Sequence, residues 1–82
     1  MTKIICYDLN KPGKEYEKLY EYLKSMPARQ LQRSVWASKT RKPCNEIRNE
    51  LKAIVDSNDS VIVVNDNGWA SFNCQNISWL KE

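Results

Sequence analysis

There is no histidine in this chain of 82 residues. That absence removes the commonest general base and the commonest zinc ligand, which excludes Ser-His-Asp and Cys-His sites and most zinc chemistry. Any catalysis is left chiefly to a carboxylate working with a hard metal ion. Cysteine is sparse: Cys6, Cys44 and Cys74 lie far apart, with no C-x-x-C pair. An odd count without a secretory leader speaks against a disulfide framework and for a reduced, cytoplasmic setting. The apolar run at the N-terminus is far too short for a signal core or a membrane span, so no membrane partner is expected. Internal repeats, linkers and low-complexity tracts are missing too, and residues 1–82 are expected to form a single small domain. At this size one core is marginal and a partner subunit often helps.

Acid is missing from one stretch. Residues 22–45 carry six cations (Lys24, Arg29, Arg33, Lys39, Arg41, Lys42) and no acid, whereas the other 58 residues carry seven cations and ten acids. A block of +6 on a chain otherwise at −3 suits an anionic partner such as RNA or DNA; a solvated basic face is the other reading.

What is present begins with Ile4-Ile5-Cys6-Tyr7-Asp8-Leu9-Asn10, an apolar run closed by turn residues. It has the length of a strand buried on both faces, with Asp8 where the chain leaves the core. Strand ends of this kind often carry chemistry, and Asp8 is the first candidate. Residues 14–26 follow as a helix, with Tyr16, Leu19, Tyr20, Leu23 and Met26 on one stripe, Glu15 and Glu17 near its start and Pro27 ending it. Tyr16 and Tyr20 are expected to pack and Tyr22 to be exposed. Residues 28–39 have strand character, but strict alternation would bury Arg33 beside Leu31, Val35 and Ala37. A break near 32–34 is therefore expected, giving one bent strand or two short ones that display Arg33 and Ser34.

After the basic loop 39–43, a second helix runs from Pro43 or Cys44 to Asp56 on the stripe Cys44, Ile47, Leu51, Ile54 and Val55. Val61-Ile62-Val63-Val64 is a second strand with both faces apolar. Asn65-Asp66-Asn67-Gly68 signals a hairpin, with residues 69–74 as its return strand and residues 77–80 as a last docking segment. This order gives an α+β, ferredoxin-like (βαββαβ-type) sandwich with an extra C-terminal strand. Both helices fit on one face, so the other needs cover, most simply from a second copy. A two-fold homodimer is expected, with the Trp79 segment adding to the partner's sheet edge.

Ile4-Ile5-Cys6-Tyr7-Asp8 followed by a helix and then Leu31-Gln32-Arg33-Ser34-Val35-Trp36 resembles the CRISPR-associated Cas-two family with its VapD-like and SinR-like relatives. Its first strand ends in Tyr-Asp, and its second motif is roughly Gln-x-Ser-Val-aromatic. Ala37 stands where an acid is common in the CRISPR members, and Trp36 where Phe is more usual. The resemblance implies a homodimer and one of two roles. One is a divalent-metal-dependent nuclease (endoribonuclease or DNase) using Mg²⁺ or Mn²⁺, with Asp8 as catalytic residue and metal ligand and with Arg33 and Ser34 near the site. The other is a non-catalytic nucleic-acid adaptor or a toxin–antitoxin component with a protein partner encoded nearby. Nucleic-acid contacts are expected from Arg29, Arg33, Ser34, Lys39, Arg41 and Lys42. A lone carboxylate is a poor Mg²⁺ site, but two Asp8 side chains meeting on a two-fold axis would make a minimal one. The competing structural role for Asp8 is to turn or cap the chain into the first helix together with Asn10.

Overall fold

The first apolar run forms β1 (Lys3–Asp8), an inner strand of the sheet. The computed structural model describes residues 2–10 and 16–82. Side chains alternate along β1: Ile5 and Tyr7 are buried on one face, while Ile4 and Cys6 are half-buried on the other and Asp8 ends it exposed. Two further strands, β2 (Ala28–Gln32) and β3 (Val35–Ser38), resolve the irregular middle stretch into a pair joined at Arg33–Ser34. Their register shifts between Gln30 and Gln32. Leu31, Val35 and Ala37 thus share one face while Arg33 is spent on the turn, exposed, and escapes the burial that strict alternation would impose. With β4 (Ser60–Asn65) they make a four-stranded antiparallel sheet in the order β2-β3-β1-β4.

Two helices cover one face. α1 (Glu17–Ser25) begins later than the stripe suggested, and Pro12, Gly13, Lys14 and Glu15 lie outside the described residues. α2 (Cys44–Lys52) stops short of Asp56, where the chain turns and Asp59 Oδ2 accepts the Asp56 N–H at 2.9 Å. Leu19 and Leu23 from α1 and Ile47 and Leu51 from α2 are fully buried against Ile5, Tyr7, Ala28 and Trp36. Helices of nine residues are not stable alone, so this apolar seam holds them. The tyrosine expectation is corrected in part. Tyr16 is half-buried as expected, but Tyr20 is 38% exposed and Tyr22 is half-buried, donating its hydroxyl proton to Glu50 on α2. Leu19 and Leu23 centre the stripe, which turns Tyr22 toward α2 and Tyr20 outward.

The C-terminal part departs from the expected hairpin, and no extra strand follows among the described residues. The Asp66 N–H donates to the Thr2 carbonyl at 2.7 Å, and the Gly68 N–H to Asp66 Oδ1 at 2.8 Å, a local side-chain turn in place of a two-residue hairpin loop. Residues 69–74 form no strand; Asn73, and Asn76 just beyond it, adopt left-handed conformations (φ 59° and 58°) that turn the chain before its last apolar segment. The last apolar segment is instead a short helix, α3 (Ile77–Lys81). Its Leu80 is buried against Leu31 and Ala37, ringed by Ile4, Val35, Cys74, Ile77 and Trp79. The second sheet face is therefore half covered by the chain's own C-terminal segment. The β4 side of that face stays open, with Ile62 59% and Val64 43% exposed. No helix among the described residues is long and apolar enough to cross a membrane.

Candidate nucleic-acid interface

Asp8 ends β1 opposite Ser60, the first residue of β4. By alternation it shares the open sheet face with Cys6 and Ile62. These residues, with Tyr7, Ser60 and Val61, line a shallow hollow of about 220 Å³. The turn carrying Arg33 and Ser34 is fastened beside this strand end by Tyr7. The Tyr7 N–H donates to the Ser34 carbonyl at 3.1 Å, and its hydroxyl donates to the Arg33 carbonyl at 3.2 Å while accepting from the Trp36 indole N–H at 3.2 Å. Burial pushes the Tyr7 phenol above its ordinary value, which keeps the donor proton in place. The Tyr-Asp and Ser-Val-Trp motifs are thus one assembly: the tyrosine and tryptophan hold the turn, and the aspartate is left facing out.

Among the described residues, no side chain pairs with the Asp8 carboxylate. The capping role expected as its alternative, shared with Asn10, is not seen among the described residues. Asn10 is bound into the neighbouring loop through its N–H to Asp59 Oδ1 at 2.8 Å and its side-chain amide to the Asn58 carbonyl. Among the described residues no side chain caps α1. Asp59 also accepts from Tyr16 and from the Asp56 N–H, so its oxygens serve the loop. Burial raises the Cys6 thiol, which stays protonated and is a weak nucleophile and ligand. No group of three or more Cys, Asp or Glu side chains among the described residues is placed to hold a metal ion.

The six residues expected to bind nucleic acid do not form one patch. Arg33 and Ser34 sit at the Asp8 end, and the Arg33 side chain has no partner among the described residues. Arg29 and Lys39 lie toward the opposite end, with Trp79 as a shared platform. The Arg29 guanidinium is 5.1 Å and the Lys39 ammonium 4.5 Å from its ring centre. Lys39 Nζ also donates to the carbonyls of Trp79 at 2.8 Å and Glu82 at 3.2 Å. Lys42 pairs with Glu50 at 2.9 Å, and Glu50 also accepts from Tyr22. The Tyr22 hydroxyl and Lys42 hold the Glu50 carboxyl below its ordinary range, while burial first, then Glu50, push the Tyr22 phenol up. Arg41 is exposed in the loop before α2, without a partner among the described residues. Sequence reasoning missed the Trp79 platform. Its signal, an apolar Ile77-x-Trp79-Leu80 segment, said that it docks but not where.

No curated protein and no solved structure gives a significant match to this chain. The family model described as CRISPR associated protein Cas2 matches residues 1–71, a span that takes in both motifs, the two-helix layer and all four strands. The chain belongs to the CRISPR associated protein Cas2 family.

Proposed function

We propose that this protein acts on nucleic acid as a ferredoxin-like homodimer in the cytoplasm, cleaving phosphodiester bonds of RNA or DNA with the Asp8 carboxylate at the centre of the site. The observation that carries this reading is Asp8 itself: exposed, without a side-chain partner among the described residues, and ending an inner strand on the open half of the sheet face. Two copies joined through that open face bring two Asp8 carboxylates to one axis, completing the donor set that one protomer lacks. The two Asp8 carboxylates would hold a Mg²⁺ or Mn²⁺ ion there, which would polarise the phosphate and acidify a bound water. Arg33 on its tyrosine-fastened turn holds a neighbouring phosphate, and Ser34 offers a hydroxyl at the same turn.

The test is cleavage of labelled RNA and DNA with Mn²⁺ or chelator, by the wild type and Asp8→Asn. Loss on both chelation and substitution, with binding retained, is the expected result; activity that survives in Asp8→Asn refutes the assignment. The second reading is a dimeric adaptor that binds nucleic acid without turnover, alone or with a protein partner encoded nearby. It is favoured by the lack of any cluster of three or more metal-ligating side chains among the described residues, and binding with no cleavage of either substrate would select it.

A further inference from the structure

We propose that a nucleic-acid strand enters along the free edge of β4, its phosphates held by Arg48 and Lys52 of α2 on the way to Asp8. The inference rests on the nucleic-acid reading above and adds a route and two contacts to it. Arg48 and Lys52 are i, i+4 neighbours, so they project from one side of α2, next to the buried positions Ile47 and Leu51 that press the helix onto the sheet. α2 packs on β4, and among the described residues β4 pairs only with β1, so no further strand covers its outer edge beside the two cations.

The surface there is a chain of three hollows. The largest, about 700 Å³, is lined by Arg48 and Lys52 with Ser57, Ser60 and Val61. A second, about 290 Å³, shares Arg48 and Val61 with it and adds Asn45 and Ile62. The third is the Asp8 hollow, which shares Ser60, Val61 and Ile62 with the other two. They adjoin around β4 and lead from the helix layer to the strand end where Asp8 faces Ser60, at the margin of the face that the proposed dimer covers.

The α2 side of this edge suits phosphate. Arg48 and Lys52 are exposed, and neither forms an ion pair among the described residues; Arg48 donates only to the Asn49 side chain, at 3.1 and 2.9 Å. By contrast, Arg29 and Lys39 are engaged with Trp79, and Lys42 with Glu50. Two acids, Asp56 and Asp59, also line the largest hollow at its loop end. Asp59 accepts from the Asn10 and Asp56 N–H groups and the Tyr16 hydroxyl, which hold it in the loop with its charge intact, so only the α2 side of the hollow is cationic. In the sequence the pair is masked because Glu46 and Glu50 are interleaved on the same helix, and only the fold turns Glu50 away toward Tyr22 and Lys42.

The test is anisotropy of fluorescein-labelled single-stranded RNA and DNA with chelator present, across a salt series. Two double variants of equal charge loss are compared, Arg48→Gln/Lys52→Gln and Lys18→Gln/Lys24→Gln on the exposed side of α1, each checked for an unchanged circular-dichroism melt. Losing two single-strand phosphate contacts should make the salt slope shallower by about 1.4. Over a fourfold rise in salt, the wild type should then lose about sevenfold more affinity than the α2 variant. Restored binding in Arg48→Lys/Lys52→Arg supports the site. Equal weakening in both double variants means that only net charge matters and overturns the inference, as does an α2 variant that binds like the wild type. If the wild type shows no salt-dependent binding to either probe, the nucleic-acid reading itself fails and this route fails with it.

Discussion

Replacing Trp79 by alanine removes the ring that lies under both Arg29 and Lys39 and part of the apolar ring around Leu80. A fully buried Trp→Ala change costs about 3–5 kcal/mol, and Trp79 is half-buried, so its packing is worth about 2 kcal/mol. Each cation over an exposed or half-exposed ring adds about 0.5–1 kcal/mol. These contributions overlap, and the expected loss is about 2–3 kcal/mol. For a domain of this size it corresponds to a fall in Tm of about 10–20 °C. A thermal melt followed by circular dichroism reads the total. A double-mutant cycle with Lys39→Met isolates the ring contact, because the carbonyls that Lys39 bonds are backbone and survive in Trp79→Ala. A coupling of about 0.5–1 kcal/mol is expected. A Tm unchanged within about 2 °C, or a coupling of zero, would refute the docking of α3 on the β2–β3 half of the sheet.

The Glu50 carboxyl is lowered by Tyr22 and Lys42, so its contribution is present above the ordinary carboxylate value of 4.5 and is lost as pH falls through the lower folded value. The stability difference between wild type and Glu50→Gln should therefore shrink on acidification below pH 4.5, as measured by urea unfolding at several pH values. Ile62→Lys places a charge on the open half of the sheet face, and sedimentation should show the proposed dimer giving way to monomer; a dimer that persists places the interface elsewhere. Cys6, half-buried with its thiol raised by burial, should be alkylated more slowly at pH 8 than a free cysteine, a difference that a mass-spectrometric time course with iodoacetamide would show.

Where local pattern and burial agree, the sequence alone was enough. The apolar run ending at Asp8, the Leu19–Leu23 and Ile47–Leu51 stripes and the run 61–64 each demand one element type, and the structure has those elements in that order. The difficulty of burying Arg33 foretold the turn between β2 and β3, because a charge flanked by core residues forces the chain to break. The C-terminal third was decided only by the tertiary structure. Asn65-Asp66-Asn67-Gly68 has hairpin chemistry, but a return strand on that edge competes with the apolar face over Leu31 and Ala37, and Leu80 is buried there. Charge pairing is likewise a property of the fold. A run of cations without acids says nothing about what lies across space, and Trp79 and Glu50, distant in sequence, take up Arg29, Lys39 and Lys42. Arg48 and Lys52, hidden among the glutamates of α2, become a cationic wall only once β4 is laid beside them. Sequence periodicity reports what each segment must bury; which of two available faces it buries against, and which charges remain for a partner, depends on contacts between residues that are far apart in the chain.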